Sequence, residues 1–200
     1  MALFNSDKII LDLCGGTGSW SKPYKDNGYD VRVITLPDYD VMDYDPPKNV
    51  YGILAAPPCD QFSFAKTTGK PRDLKKAYKI VNTCLNIIAK CQYDIPSPYA
   101  KTTTLKFWAL ENPKGLLKRF LGHPYYEFDP YYFGDNYKKR TCLWGYFNKP
   151  KENRIECDKP KFDRLKSSEI HPEYFGKLTR LERRSITPPG FAQAFYEANK

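Results

Sequence analysis

Apolar residues arrive along this chain in short bounded runs. Positions 8–13 (Lys-Ile-Ile-Leu-Asp-Leu), 30–36 (Asp-Val-Arg-Val-Ile-Thr-Leu), 53–56 (Ile-Leu-Ala-Ala) and 106–110 (Lys-Phe-Trp-Ala-Leu) are too short for helices. Each meets a glycine, a proline or a polar turn, which predicts buried strands. Positions 72–92 follow another period. Leu74, Ala77, Tyr78, Val81, Cys84, Leu85, Ile88 and Cys91 recur at steps of three and four, with lysines and asparagines between them. That spacing predicts a surface helix lying on a sheet, with Cys84 and Cys91 on its core face. A shorter helix fits 19–27, with Gly28 as its C-cap. Beyond residue 120 the order changes. Two aromatic segments at 125–128 and 141–144 read as a hairpin-like pair, residues 146–180 are rich in Pro, Lys and Glu with weak periodicity, and a last helix fits 191–199. Strands alternating with helices predict an α/β fold with a mostly parallel sheet and a small irregular C-terminal insertion.

Two strand ends and one turn carry candidate chemistry. Pro57 and Pro58 cannot continue a ladder, so the run at 53–56 must turn out of the sheet and present Cys59. Ligands of open α/β sheets collect at the carboxyl ends of strands, so Cys59 reads either as a small buried hydrophobe or as a placed nucleophile. In the same way the run at 106–110 meets Glu111-Asn112-Pro113. Glu111 is a satisfied structural acid or a second catalytic group at the same sheet edge. The first strand runs into Cys14-Gly15-Gly16-Thr17-Gly18, a turn that lets the backbone approach a cofactor closely. A dinucleotide fingerprint needs a third glycine where Trp20-Ser21 stands, which favours S-adenosylmethionine over a nicotinamide cofactor. Asp38 is the acid nearest the end of the second strand and the candidate for ribose hydroxyls.

Composition narrows this picture. The chain has 200 residues and 16% aromatic content, enough for one core, and no apolar run approaches the ~20 residues a bilayer needs. An intracellular, cytoplasmic protein is expected. Net charge is +9, and residues 138–200 hold 15 basic against 8 acidic residues, seven of those nine charges. Such a surface beside aromatic residues suits a nucleic-acid binder or simply aids solubility. The six cysteines form no Cys-x-x-Cys pair and read as free thiols, and His123 and His171 lack a ligand-spaced partner, so no metal site is expected.

Taken in order, Asp12-Leu13-Cys14-Gly15-Gly16-Thr17-Gly18, Pro57-Pro58-Cys59-Asp60-Gln61-Phe62-Ser63, Glu111-Asn112-Pro113 and Lys139-Arg140-Thr141 resemble the motif series of the cytosine-5 DNA methyltransferases. The ending resembles that of small phage-encoded members. The resemblance implies a Rossmann-like S-adenosylmethionine-dependent methyltransferase fold. It further implies a catalytic core at 1–145, a basic insertion at 146–184 acting as a reduced target recognition region, and a C-terminal helix at 185–200 returning to the core.

By the same resemblance, Cys59 is the thiolate that adds to cytosine C6, Glu111 holds N3 and the exocyclic amine, and Arg140 holds O2. Gly16 and Gly18 seat S-adenosylmethionine, with Asp12 ordering the turn, Trp20 and Pro57 beside the cofactor, and Asp40 on the adenine amine. Thr187 to Gly190 close over its methionine end. Three departures stand out. Cys14 occupies a position usually held by phenylalanine against the cofactor, Asp60 replaces the glutamine after the nucleophile, and only about forty residues form the insertion. DNA is the implied partner. RNA or a cytosine nucleotide as acceptor, and a catalytically silent DNA- or cofactor-binding protein, are the alternatives.

Overall fold

The computed structural model describes residues 4–67, 69–93, 103–158 and 161–200. Its framework is one six-stranded sheet made from β1 (Ile9–Leu13), β2 (Asp30–Ile34), β3 (Val50–Ala55), β4 (Phe107–Pro113), β5 (Tyr126–Phe128) and β6 (Thr141–Tyr146). The strand order is β2-β1-β3-β4-β6-β5. The first four strands are parallel, and β6 runs antiparallel to both its neighbours. This is the mostly parallel α/β sheet of a Rossmann-like fold, as the alternating pattern predicts.

Alternation along the strands builds two cores, because successive side chains face opposite sides of a sheet. Leu11, Leu13, Ile53 and Ala55 face α2 (Leu74–Gln92), which buries Ala77, Val81, Cys84, Ile87, Ile88 and Cys91 against them. The Asp73 carboxylate caps this helix by accepting from the Lys76 N–H at 2.9 Å. Ile10, Leu54, Phe107 and Ala109 face the other way, onto Tyr24 of α1 (Lys22–Asp26) and Phe191 and Phe195 of α5 (Pro189–Asn199). That second core is aromatic: Trp20 meets Phe195 edge-on at 5.4 Å, and Tyr24 meets Tyr196 at 5.0 Å.

Several boundaries differ from the pattern reading. The first helix starts at Lys22, because residues 14–21 form consecutive turns over the end of β1. β2 stops at Ile34, two residues early, and Tyr39 N–H closes a turn onto the Thr35 carbonyl. β4 continues through Glu111 and Asn112, since β6 supplies partners there: Glu111 pairs with Leu143 and Pro113 with Thr141. Glu111 therefore lies within the ladder and not beyond it. Residues 146–184 contain a small cluster of Phe162, Leu165 and Ile170 against Tyr137, followed by α4 (Arg180–Ser185) with a Thr179/Glu182 capping box. Among the described residues no helix is long and apolar enough to cross a membrane.

Candidate active site

Register decides what meets at the carboxyl edge of the sheet. Leu13 is level with Ile34 and Ala55, and Ala55 with Leu110, so Cys14 and Ala56 leave their strands beside Glu111, which β6 keeps within β4. The chain then turns sharply after β3. Ala56 N–H donates to the Leu13 carbonyl at 2.9 Å, and the Asn112 amide donates to the Pro57 carbonyl at 3.0 Å. That second bond is buried and ties the Cys59 turn to the strand carrying Glu111.

The turn itself is closed on Cys59, whose carbonyl accepts from the N–H groups of Phe62 and Ser63 at 3.0 and 2.8 Å. Arg72 sits behind it, its guanidinium donating to the carbonyls of Gln61, Ser63 and Lys66. Gly115 lies so close that a Cβ would stand 2.2 Å from the Phe62 carbonyl oxygen, so only glycine allows the segment after β4 to pack here.

Electrostatics single out one cation. Burial raises the Cys59 thiol above its ordinary value, the Lys139 ammonium opposes that rise, and Glu111 and Asp60 add to it. Burial also raises the Glu111 carboxyl, again opposed by Lys139. Arg140, the sequence-based candidate, is turned elsewhere. It pairs with Asp129 at 3.0 Å and lies over the Tyr132 ring at 5.7 Å. Adjacent residues of an extended chain point to opposite sides, so only one of the two cations entering β6 can face Glu111. Lys139 is held by the Arg184 carbonyl at 3.0 Å and the Phe162 ring at 5.3 Å. Both anchors come from residues 146–184, so this stretch positions Lys139.

Beside Cys59 lies the glycine turn. Asp12 is fully buried beneath it, accepting from Ser21 Oγ at 2.6 Å, while its other oxygen has no partner. A Cβ on Gly15 would come 2.5 Å from the Asp12 carboxyl carbon. Gly16 and Gly18 take φ of +55° and +68°, a region that favours glycine. Among the described residues neither the Gly16 nor the Thr17 N–H has an acceptor, and both residues are exposed. Open N–H groups above a buried carboxylate fit the polar end of a nucleoside or amino-acid cofactor.

The other predicted cofactor residues are spread more widely. Cys14 has φ +57°, and its thiol engages Cys84 on α2. Trp20 is 2% exposed and belongs to the aromatic core under the turn, so it supports the turn from within. Pro57 is buried at the hinge, whereas Asp38 and Asp40 are exposed in the loop after β2. Asp40 Oδ1 accepts from the Met42 N–H at 2.9 Å. Thr187 N–H donates to Ser19 Oγ at 2.8 Å, and Gly190 N–H to Asp135, which joins the start of α5 to the turn region. Lys139, Asn112 and Arg72 carry roles that sequence reading did not assign. Lys139 and Asn112 lie inside recognised motifs, but Arg72 gives no local signal.

Two substitutions test this construction. Burial pushes Asp12 up to about 6 from 3.8, so its stabilising effect is complete below about pH 4 and lost as pH rises through 6. Asp12→Asn is neutral throughout and should lack that loss, at most about 3 kcal/mol, in urea midpoints compared at pH 4 and pH 7. Asn112→Ala leaves the Pro57 carbonyl unpaired and should cost about 1–3 kcal/mol in urea unfolding.

No protein-family model matches the chain, and no curated protein matches it in sequence. Among solved structures it is similar to a triple mutant of DNMT2 from Spodoptera frugiperda, at 17% identity and a TM-score of 0.41. The alignment covers 82% of this chain and 59% of that one.

Proposed function

We propose that this chain is an S-adenosylmethionine-dependent cytosine-5 methyltransferase acting on DNA. The observation that carries the reading is that Glu111 of β4 lies close enough to the turn after β3 to act on the Cys59 thiol, with the Asn112–Pro57 bond tying the two segments and the glycine turn alongside. S-adenosylmethionine bound at Gly16 and Gly18 supplies an electrophilic methyl group. Carbon 5 of cytosine is a poor nucleophile. Adding the Cys59 thiolate to carbon 6, with the Glu111 proton passing to N3, makes carbon 5 part of an enamine. Carbon 5 then takes the methyl group, which leaves the donor as a neutral thioether. Loss of the carbon 5 proton to a base, expulsion of Cys59 as thiolate and return of the N3 proton to Glu111 restore the ring.

Glu111 has the chemistry to hold N3 and the exocyclic amine. Its carboxyl is shifted upward by burial, which favours the protonated form needed to donate to N3. Lys139 takes the charge-balancing part expected of Arg140, favouring the thiolate before addition and the negative charge on the ring after it. A cytosine within a duplex must first be extruded from the stack.

A second reading keeps the chemistry and changes the acceptor to RNA or a cytosine nucleotide. The observation behind it is the small size of the stretch at 146–184, about forty residues with an apolar cluster of only Phe162, Leu165 and Ile170. Transfer of labelled methyl to duplex DNA, single-stranded DNA, RNA and dCMP, with Cys59→Ala as the blank, separates the two. Label recovered as 5-methylcytosine in DNA supports the first reading, and label confined to RNA or dCMP supports the second. Cofactor binding without transfer to any acceptor would leave a silent binding protein.

A further inference from the structure

At the opposite end of the sheet, where the parallel strands begin, the structure forms a groove of about 600 Å³. Tyr51 of β3, Lys106 and Phe107 at the start of β4, and Tyr146 and Phe147 at the end of β6 line it. Asn148 and Asn199, also in the lining, clasp each other: Asn148 N–H donates to Asn199 Oδ1 at 2.8 Å, and Asn199 Nδ2 donates back to the Asn148 carbonyl at 3.0 Å. Among the described residues no carboxylate side chain lines the groove.

Aromatic rings line it, and cations stand in and beside the lining. Tyr146 is 73% exposed and Tyr125, also in the lining, is 52% exposed. Lys149 lies 4.7 Å from the Tyr125 ring centre, and Lys8 lies 5.0 Å from that of Tyr51. Lys106 has no acid partner among the described residues, whereas Lys200 is paired with Glu197 at 2.5 Å. The exposed Tyr146 and Tyr125 rings, with Lys106 in the lining and Lys149 at its border, present stacking surfaces for bases and counter-charges for phosphates, the combination that holds unpaired strands without sequence preference. A duplex, with its bases stacked inward, could use the lysines but not the rings.

We infer that this groove is a second nucleic-acid site, which binds a single-stranded segment. From Tyr51 to the end of β3 is four residues, about 13 Å of strand, before the chain turns toward Cys59. The groove is therefore distinct from the Cys59 edge, and binding to it does not depend on methyl transfer.

The test uses a fluorescein-labelled 12-mer of deoxythymidine, which contains no cytosine, and the full chain. In anisotropy titrations Tyr146→Ala/Lys106→Ala should weaken binding about 10-fold or more, while Cys59→Ala should bind as the unsubstituted protein does. Lys106→Ala alone should lower the slope of log affinity against log salt by about 1. A 12-mer carrying 5-iododeoxyuridine should photocrosslink to Tyr146 or Tyr125. Circular dichroism of the double variant guards against loss of fold, and Tyr146→Trp should keep the affinity. Unchanged affinity in the double variant, or crosslinks confined to the Cys59 edge, would overturn the inference. So would a change in sedimentation from dimer to monomer with oligonucleotide affinity intact, which would assign the groove to a second copy of the chain.

Discussion

A duplex containing 5-fluorocytosine should become covalently attached to the protein in the presence of S-adenosylmethionine, and Cys59→Ala should capture none of it. Fluorine at carbon 5 cannot leave as a cation, so the sequence of addition, transfer and elimination stops with Cys59 still bonded to carbon 6. The adduct survives denaturation and is read as a shifted band and as a peptide mass containing residue 59. Methyl transfer to ordinary DNA should fall by roughly 10⁴-fold or more in the same variant, the scale seen when an enzyme loses its nucleophile. The Cys59 turn is held by Arg72 and by the Asn112–Pro57 bond, neither of which involves the sulfur, so the variant should keep its fold and its affinity for the cofactor. A denaturant-resistant adduct formed by Cys59→Ala would place the nucleophile elsewhere and remove the mechanism.

The second large effect is expected at Lys139. Removing its charge with Lys139→Met takes away the influence that opposes burial at both Cys59 and Glu111. The Cys59 thiol should then ionise at higher pH. Its alkylation by iodoacetamide, followed from pH 6 to 10, should shift to the alkaline side, because each unit of rise in pKa costs about tenfold in thiolate at neutral pH. Methyl transfer at pH 7 should fall by about tenfold or more, and Lys139→Arg should restore part of it. Arg140→Met is the informative contrast. Its ion pair is with Asp129, whose side chain is 9% exposed, so the substitution leaves a nearly buried carboxylate without its cation. It should lower stability by about 1–3 kcal/mol and leave the alkylation profile in place. If instead Arg140→Met shifts the profile and Lys139→Met does not, Arg140 resumes the role first assigned to it.

Much of the candidate site could be read directly from residue types. Proline after a short apolar run must end a strand, so Cys59 was expected at a sheet edge. The same logic applied to Glu111, although there β6 lengthened the ladder past it, since pairing comes from a strand thirty residues away in sequence. The glycine turn was legible because positive φ favours one residue type. The helix at α2 was legible because its period is local. The packing of Trp20 is not legible, for the converse reason. A tryptophan beside a cofactor turn looks the same in sequence whether it faces the ligand or, as here, Phe191 and Phe195 from a helix more than 170 residues later.

The order of strands and helices, the turn at Gly16 and Gly18, and the exit of Cys59 from its strand follow from short-range periodicity and from the backbone limits of glycine and proline. Which of Lys139 and Arg140 acts on Cys59, what anchors Pro57, and where Arg72 spends its hydrogen bonds depend on contacts between segments far apart in the chain. A strand's alternation says that neighbouring side chains point opposite ways. It takes the sheet order and register to say which way is inward.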